Sequence, residues 1–309
     1  MKVLVTGGAG FIGSHVTELL CDKGVGVIVV DDLSSGFNKF VDKRAKFVKA
    51  SIGNEKLMAS LLKKVDVVIH LAASSIIKSS YERPLEYFEN NVVNGVKLLE
   101  AMRKAGVKKI INSSTAAVYG EPKRVPIKEE DAKNPISPYG VSKLAFENAL
   151  SAYYHSFGIE SVSLRYFNAY GPRDEQKPAS RAVAIWIKAA LKGKPLPLYW
   201  KGEQIRDYVY VGDIARVHLE VMNIGGINFF NIGSGNGIKM RDVLSALEEI
   251  VGKKLKVVDK GERRGDPQKL YADISKIKKE VGWRPKVSLQ EGLSKTFEYY
   301  KSVYRKDKK

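Results

Sequence analysis

The feature that most constrains this chain stands at its start. Val3-Leu4-Val5 is an apolar run that passes directly into Thr6-Gly7-Gly8-Ala9-Gly10-Phe11-Ile12-Gly13, and an amphipathic pattern follows over Phe11–Cys21. A short strand, a Gly-x-Gly-x-x-Gly turn (Gly8, Gly10, Gly13) and a helix in immediate succession open a βαβ unit built around a phosphate. The glycines let the backbone turn tightly and approach a pyrophosphate, to which the helix N-terminus presents unpaired N–H groups. Glycines that serve only helix–strand packing would show the same spacing, so a second signal is needed. It lies about twenty residues on, where Val27–Val30 ends in Asp31-Asp32. A carboxylate at that strand end accepts hydrogen bonds from a ribose diol and repels a 2′-phosphate, which selects NAD over NADP.

The strand–helix rhythm continues through the first half. Val25–Val30, Val65–Leu71, Ile110–Ser114 and Ser161–Phe167 read as strands, and Leu57–Leu62, Leu85–Met102 and Tyr139–Phe157 as helices. Strict alternation predicts an α/β fold, a Rossmann-type doubly wound parallel sheet with helices on both faces. The nearly continuous apolar character of the strands fits burial on both sides. Ligands of such sheets bind beyond the carboxyl ends of the strands. After Asn168 the rhythm breaks at Gly171-Pro172-Arg173, Lys177-Pro178 and Lys194-Pro195-Leu196-Pro197. Shorter elements follow: helices at Val183–Leu191, Met240–Val251 and Leu289–Val303, and strands at Tyr208–Val211 and Ile227–Asn231. The expected division is an NAD-binding domain over 1–168 and a smaller α/β substrate-binding lobe over 169–309, with later segments returning to the first domain.

Composition narrows the class. The chain has 309 residues, 44% of them hydrophobic and 28% charged, the balance of a globular protein. A lone cysteine, Cys21, allows no internal disulfide. No apolar run approaches the roughly 20 residues of a membrane span, and a strand at residue 3 leaves no room for a leader. A soluble, cytoplasmic protein with no membrane partner is expected. The 52 basic against 34 acidic side chains give a formal charge of +18, which suits either a nucleic-acid or membrane-surface binder or a solvated lysine-rich surface. The lysines are scattered in ones and twos, apart from the tail Lys301–Lys309, and no nucleic-acid module accompanies them. The solvated surface is the better reading, with no nucleic-acid partner. His15, His70, His155 and His218 share no metal-ligand spacing with one another or with Cys21, so no metal is expected.

The chemistry is concentrated in Ser137-Pro138-Tyr139-Gly140-Val141-Ser142-Lys143. Ser137 suits an N-cap and Pro138 a first helical position, which puts Tyr139 and Lys143 one turn apart on one face. Half-ionising a phenol at pH 7 takes about 4 kcal/mol. An ammonium about 4 Å away at an effective dielectric near 20 offers roughly that much before desolvation costs, and an oxidised nicotinamide adds to it. The expected product is a phenolate that takes a proton from an alcohol while a hydride leaves the same carbon. Upstream, Asn112-Ser113-Ser114-Thr115 closes a strand and places a hydroxyl at the ligand-binding edge. A Tyr-x-x-x-Lys pair alone is a common surface arrangement; behind a dinucleotide turn and a strand-end hydroxyl cluster it is specific.

With these residues assembled, the chain resembles the extended short-chain dehydrogenases/reductases, and within them the UDP-glucose (UDP-galactose) 4-epimerases. The shared segments are Thr6–His15, Asp31–Gly36, His70–Ala73, Asn91–Val92, Ser113–Gly120, Tyr139–Lys143, Arg165–Pro172, Arg206–Asp213, Asn231–Gly235 and Arg263–Asp273. The resemblance implies Tyr139 as general base and acid, Lys143 as its electrostatic partner and ribose ligand, and Thr115 as the hydroxyl on the sugar's reacting oxygen. It implies NAD contacts at Gly7, Gly10, Phe11, Ile12, Asp31, Asp32, Ser34, Ser35, Gly36, Ser51, Ile52, Leu71, Ala72, Ala73, Asn91, Ser113, Tyr139, Lys143 and Phe167. It implies nucleotide-sugar contacts at Thr115, Asn168, Ala182, Val183, Arg206, Arg263 and Leu270, and a homodimer. Arginine suits a diphosphate, although Arg206 and Arg263 could equally pair with Asp207 and Asp266.

The chain departs from the family pattern at two places. Relatives often carry Asp-Ile where Ser51-Ile52 stands, and Tyr where Leu270 stands. The related dehydratases place Asp-Glu after the strand-end hydroxyl, whereas Ala116-Ala117 follow Thr115 here, which argues against dehydration. The expected activity is NAD-dependent interconversion of UDP-glucose and UDP-galactose through a transient 4-keto sugar. The alternatives are an epimerase of UDP-N-acetylhexosamines or UDP-uronates, or a non-catalytic NAD- or RNA-binding protein.

Overall fold

The computed structural model describes residues 1–175, 181–262 and 267–306. Its first region is built from β1 (Lys2–Thr6), α1 (Phe11–Asp22), β2 (Gly26–Asp31), β3 (Lys46–Lys49), α2 (Glu55–Leu62), β4 (Val67–His70), α3 (Ile77–Glu82), α4 (Pro84–Phe88), α5 (Asn94–Ala105), β5 (Lys109–Thr115), α6 (Pro138–Phe157) and β6 (Glu160–Tyr166). The chain then continues through β7 (Asn168–Tyr170), α7 (Ala182–Leu191), β8 (Leu196–Leu198), β9 (Ile205–Arg206), β10 (Tyr208–Tyr210), α8 (Val211–Glu220) and β11 (Ile227–Ile232). The last elements are β12 (Ile238–Lys239), α9 (Met240–Val251), β13 (Val257–Asp259), β14 (Lys269–Leu270), α10 (Ser275–Glu280) and α11 (Leu289–Lys306).

Seven parallel strands form the main sheet in the order β11-β6-β5-β4-β1-β2-β3. This is the doubly wound α/β fold expected from the alternation. Strand residues alternate between faces, so β1 sends Val3 and Val5 to one core and Leu4 to the other. Val16 and Leu20 of α1 and Ile214 and Val217 of α8 close the first core. Met58 and Leu62 of α2, Leu98, Leu99 and Met102 of α5, and Phe146 and Leu150 of α6 close the second. The strand order reverses between β1 and β4, and the crevice above their carboxyl ends is where such a sheet takes its ligand.

A third core joins α7, β8, α9 and α11 through Val183, Trp186, Ile187, Leu196, Leu198, Val243, Leu247, Leu293 and Phe297. The chain crosses between the regions more than once: β11 is an edge strand of the main sheet, and Ile277 of α10 and Trp283 pack into the α1–α8 core. Several elements differ from expectation. The helix expected over Leu85–Met102 is interrupted by a π-turn at Glu89–Val93 between α4 and α5. Strand β3 was not expected, because an edge strand with lysines at both ends and half-buried residues between them carries no strong apolar signal. Helix α8 was also missed; its polar Gly212, Asp213 and Arg216 dilute the apolar stripe.

Candidate active site

The cofactor end of the cleft is shaped by backbone. Gly7 leaves β1 with φ +72°, and a Cβ there would sit 2.6 Å from the Ala72 nitrogen beyond β4. A Cβ on Gly13 would run into the Gly7 carbonyl oxygen, and one on Gly8 would meet Val29 Cγ1 at 2.7 Å. Only glycines let turn, helix and neighbouring strand come this close. Asp31 is buried at the tip of β2, where its Oδ2 accepts the Ala9 N–H at 3.0 Å and its Oδ1 the Leu33 N–H at 2.8 Å. Burial raises its pKa, and the two N–H donors oppose the rise. Each carboxylate oxygen retains a lone pair for a ribose hydroxyl. This cradle fits NAD: close backbone approach for the pyrophosphate and a held carboxylate for the adenosine ribose.

The expected cofactor residues mostly share this wall. Gly7, Gly10, Phe11, Ile12, Asp31, Asp32, Ser34, Ser35, Ser51, Ile52, Leu71, Ala72, Ala73, Ser113 and Phe167 line one cleft of about 930 Å³. Ser51 Oγ accepts the Gly53 N–H at 3.1 Å. Two residues stand behind the wall. Gly36 packs on the Ala9 backbone. Asn91, on the π-turn, is buried: its Oδ1 accepts Ser74 N–H at 2.8 Å, and its Nδ2 donates to Ser74 O and Ser142 Oγ, each at 3.0 Å. With both amide hydrogens used, Asn91 ties the loop after β4 to α6.

The centre of the cleft is set by the tip of β5 and the start of α6. Ser137 Oγ accepts the Gly140 N–H at 3.1 Å, the expected N-cap, with Pro138 at the first helical position. A Cβ on Gly140 would stand 2.7 Å from the Ala117 oxygen, so this glycine lets α6 approach the strand end. Tyr139 and Thr115 both face the cleft and share a side-chain hydrogen bond. The Tyr87 ring meets Tyr139 edge-on at 6.3 Å, held by a 2.6 Å bond from its hydroxyl to Ile76 O. Lys143 lies one turn along α6, buried beneath the wall.

The electrostatics correct one expectation. Burial, not Lys143, dominates Tyr139 and pushes its phenol up; the Thr115 bond and the charge of Arg181 only oppose this. Burial also pushes Lys143 down to about 8, with Glu147 pulling it back. A nicotinamide cation, when bound, would oppose the same rise.

The substrate end comes from the second region. Asn168, Ala182, Val183, Arg206 and Leu270 line the same cleft. Asn168 Oδ1 is buried with no hydrogen-bond partner, an acceptor poised for a ligand donor. Arg206 is buried, its Nη1 donating to Ile205 O at 2.8 Å and Gln268 O at 3.3 Å. Leu270 of β14 is its register partner across the β9–β14 pair. Asp207 accepts from Ser234 N–H and O–H, Gly235 N–H and Ala272 N–H, which fixes the loop behind Arg206. Arg263 and Asp266 lie outside the described residues.

Sequence reasoning missed Tyr87, Tyr166, Arg181, Trp186, Tyr199 and Gln204, all but Tyr87 on the cleft wall. Apart from Tyr166, which lies in the shared segment Arg165–Pro172, none belongs to a contiguous motif. Tyr166, directly before Phe167-Asn168, could have been found from its place at a strand end. Its hydroxyl meets His218 Nε2 at 2.7 Å, and that ring's Nδ1 donates to Ile214 O. Likewise His70 Nδ1 pairs with Thr6 Oγ1 at 2.8 Å, and burial drives His70 down to about 3.

A family model described as GDP-mannose 4,6 dehydratase matches residues 4–296. The UDP-glucose 4-epimerase of Azospirillum brasilense is 38% identical over 311 aligned residues, 94% of this chain and 89% of its own. The UDP-glucose 4-epimerase of Thermotoga maritima, crystallised with UDP-glucose, is 41% identical with a TM-score of 0.95, covering 98% of this chain and 100% of that one. The Thermus thermophilus UDP-glucose 4-epimerase, in complex with NAD, is 39% identical with a TM-score of 0.92 over the same shares. The chain belongs to the extended short-chain dehydrogenase/reductase family, among its UDP-glucose 4-epimerases.

Proposed function

We propose that this protein is an NAD-dependent nucleotide-sugar 4-epimerase whose substrates are UDP-glucose and UDP-galactose. The observation that carries the reading is one continuous cleft from Asp31 to Leu270 with Thr115 and Tyr139 at its middle. NAD, when bound, supplies the hydride acceptor and donor. Tyr139 takes the proton of the C4 hydroxyl, Thr115 hydrogen-bonds the same oxygen, and Lys143 holds its positive charge beneath both. Arg206 grips the nucleotide diphosphate and Asn168 Oδ1 accepts from a hydroxyl or N–H of the nucleotide-sugar, so the 4-keto sugar turns over without leaving. Tyr139 then returns the proton on completion of the opposite-face transfer. Expulsion of water would need an acid beside the sugar. The carboxylates on the described wall are Asp31, Asp32 and Glu82, with Ala116 and Ala117 next to Thr115, which favours epimerisation over dehydration.

Conversion of UDP-galactose to UDP-glucose by the purified protein, with no NAD added, tests the reading; no turnover, with or without NAD, overturns it. One observation favours a second reading with a uronate sugar. The Arg181 guanidinium lines the cleft 5.0 Å from the Phe11 ring and acts on Tyr139; it is ion-paired with Asp174 at 2.8 Å, and a sugar carboxylate would share that cation. Turnover of UDP-glucuronate above that of UDP-galactose would select it. The reading includes a homodimer, supported by exposed Leu85, Val93 and Val141 on the packed surface of α4, the π-turn and α6. Light scattering at the mass of one chain would refute that. No helix among the described residues is long and apolar enough to cross a membrane. A cytoplasmic location is proposed, supported by a substrate and cofactor drawn from the soluble metabolite pool.

A further inference from the structure

A buried ion pair next to the reacting centre has no part in the proton transfers above. Glu147 is 1% exposed and Arg165 2%. Arg165 Nε donates to Glu147 Oε1 at 3.0 Å and Nη2 to Oε2 at 2.8 Å, a bidentate pair. Ser114 Oγ donates to the same Oε1 at 2.6 Å. The remaining Arg165 nitrogen donates to the Tyr119 hydroxyl at 2.9 Å and to Glu129 O at 3.1 Å, and the guanidinium lies 5.2 Å from the Tyr119 ring and 4.8 Å from that of Phe229.

The placement is specific. Glu147 sits on α6 one turn beyond Lys143 and two beyond Tyr139. Ser114 immediately precedes Thr115 on β5, and Arg165 precedes Tyr166 on β6. One carboxylate therefore joins α6 and β5, which carry the reacting groups, to β6. A buried ion pair is a poor way to stabilise a core, since apolar side chains of similar volume often do as well or better. What it supplies is fixed geometry and a fixed charge. The groups facing Lys143 and Tyr139 are Glu147 on α6, His70 on β4, Tyr87 on α4, Tyr166 on β6 and the cation Arg181 before α7. His70 is neutral and the tyrosines are protonated, and Glu147 favours the Lys143 cation.

We propose that Glu147, clamped by Arg165 and Ser114, is a positioning residue of the epimerase reaction. It holds Tyr139 and Lys143 in register with Thr115 and keeps Lys143 cationic beneath them. The proposal rests on the epimerase reading, so wild-type turnover of UDP-galactose is measured first. Its absence strikes that reading, whereas the clamp is judged from the variants of an active wild type.

The experiment follows kcat and KM for UDP-galactose from pH 6 to 10, with retained NAD per chain, in Glu147→Gln, Glu147→Asp and the Glu147→Gln/Arg165→Gln double variant. Glu147→Gln is expected to lower kcat about tenfold and to move the basic limb of the profile down by about one pH unit. KM and NAD content should stay near wild type. The double variant leaves no buried charge unpaired. It serves if the single one fails to fold, and its limb stays displaced because the carboxylate is gone. Glu147→Asp keeps the charge but withdraws it by one methylene, so the limb stays in place while kcat falls about threefold. A folded Gln variant with the wild-type limb and kcat overturns the proposal. So does wild-type kcat in Glu147→Asp, because the pair would then be structural only.

Discussion

The two ends of the cleft are made from different material. At the NAD end the wall is backbone: Gly7, Gly8 and Gly13 permit contacts that a Cβ would forbid, and Asp31 is pinned by two N–H groups of the same loops. At the sugar end the wall is side chain, with Asn168, Arg206 and Leu270 carried on strands of two or three residues. A backbone wall is strict about its residues and indifferent to the rest of the ligand. A side-chain wall can be altered one substitution at a time, so cofactor choice is hard to change and sugar choice is open to change.

The joint between the two ends gives the largest expected effect. Tyr139→Phe keeps the ring against Tyr87 but removes the proton carrier, and kcat should fall by ~10²–10⁴-fold with NAD content unchanged. Turnover within a few-fold of wild type would remove Tyr139 from the mechanism. On the NAD side, Asp31→Ala removes the ribose acceptor and also releases the Ala9 and Leu33 N–H groups. Hydrogen bonds to a charged group contribute about 1.5–3 kcal/mol, so NAD retention should weaken about tenfold or more. Mass spectrometry of the extracted cofactor reads this. Recovery of mainly NADP(H) from the wild type would show that Asp31 does not select.

The same contrast decides what could be read from the sequence. The NAD end is legible because its parts are contiguous: a turn of seven residues, Gly7 to Gly13, and one acid a strand later. The Tyr139–Lys143 pair is legible for the same reason, one helical turn holding both. The substrate end is assembled from β7, α7, β9 and β14, and no local pattern announces that Leu270 lies beside Arg206. Asn91 shows a different limit. Its position in the motif is visible, but its hydrogen bonds to Ser74 and Ser142 arise from a π-turn that periodicity reads as plain helix. For Tyr139, spacing gives the attraction of Lys143 but not the size of the desolvation cost, and burial is the larger effect here.

Arg206→Gln should divide the two ends by affinity. Removal of a buried guanidinium from a diphosphate site costs one or two charge-assisted bonds, so KM for UDP-galactose should rise about tenfold or more. NAD content should not change, because Arg206 belongs to β9 and not to the sheet that carries the glycine turn. A parallel loss of NAD would mean that the ends are not separable.

The smallest expected effect is on sugar choice, and it falls on Leu270. The residue lines the cleft, half-buried, in register with Arg206, so on the proposed reading, with Arg206 on the diphosphate, the sugar ring falls beside it. Leucine is smaller than tyrosine but bulky in absolute terms, and it offers no hydrogen bond to an N-acetyl amide, which costs about 1–3 kcal/mol if the amide is buried unpaired. UDP-glucose and UDP-galactose should therefore be preferred, with slow but measurable turnover of the N-acetylated pair. Leu270→Ser makes room and adds a hydroxyl, which should raise kcat/KM on the N-acetylated pair about tenfold; Leu270→Tyr should abolish it. The reading is the ratio of kcat/KM on the two pairs. Because the backbone wall is untouched, NAD content should stay constant across all three proteins. A wild-type ratio in favour of the N-acetylated sugars, or a ratio unmoved by either substitution, would place the sugar's C2 substituent away from Leu270 and return its selection to Trp186 of α7 and Tyr199 after β8.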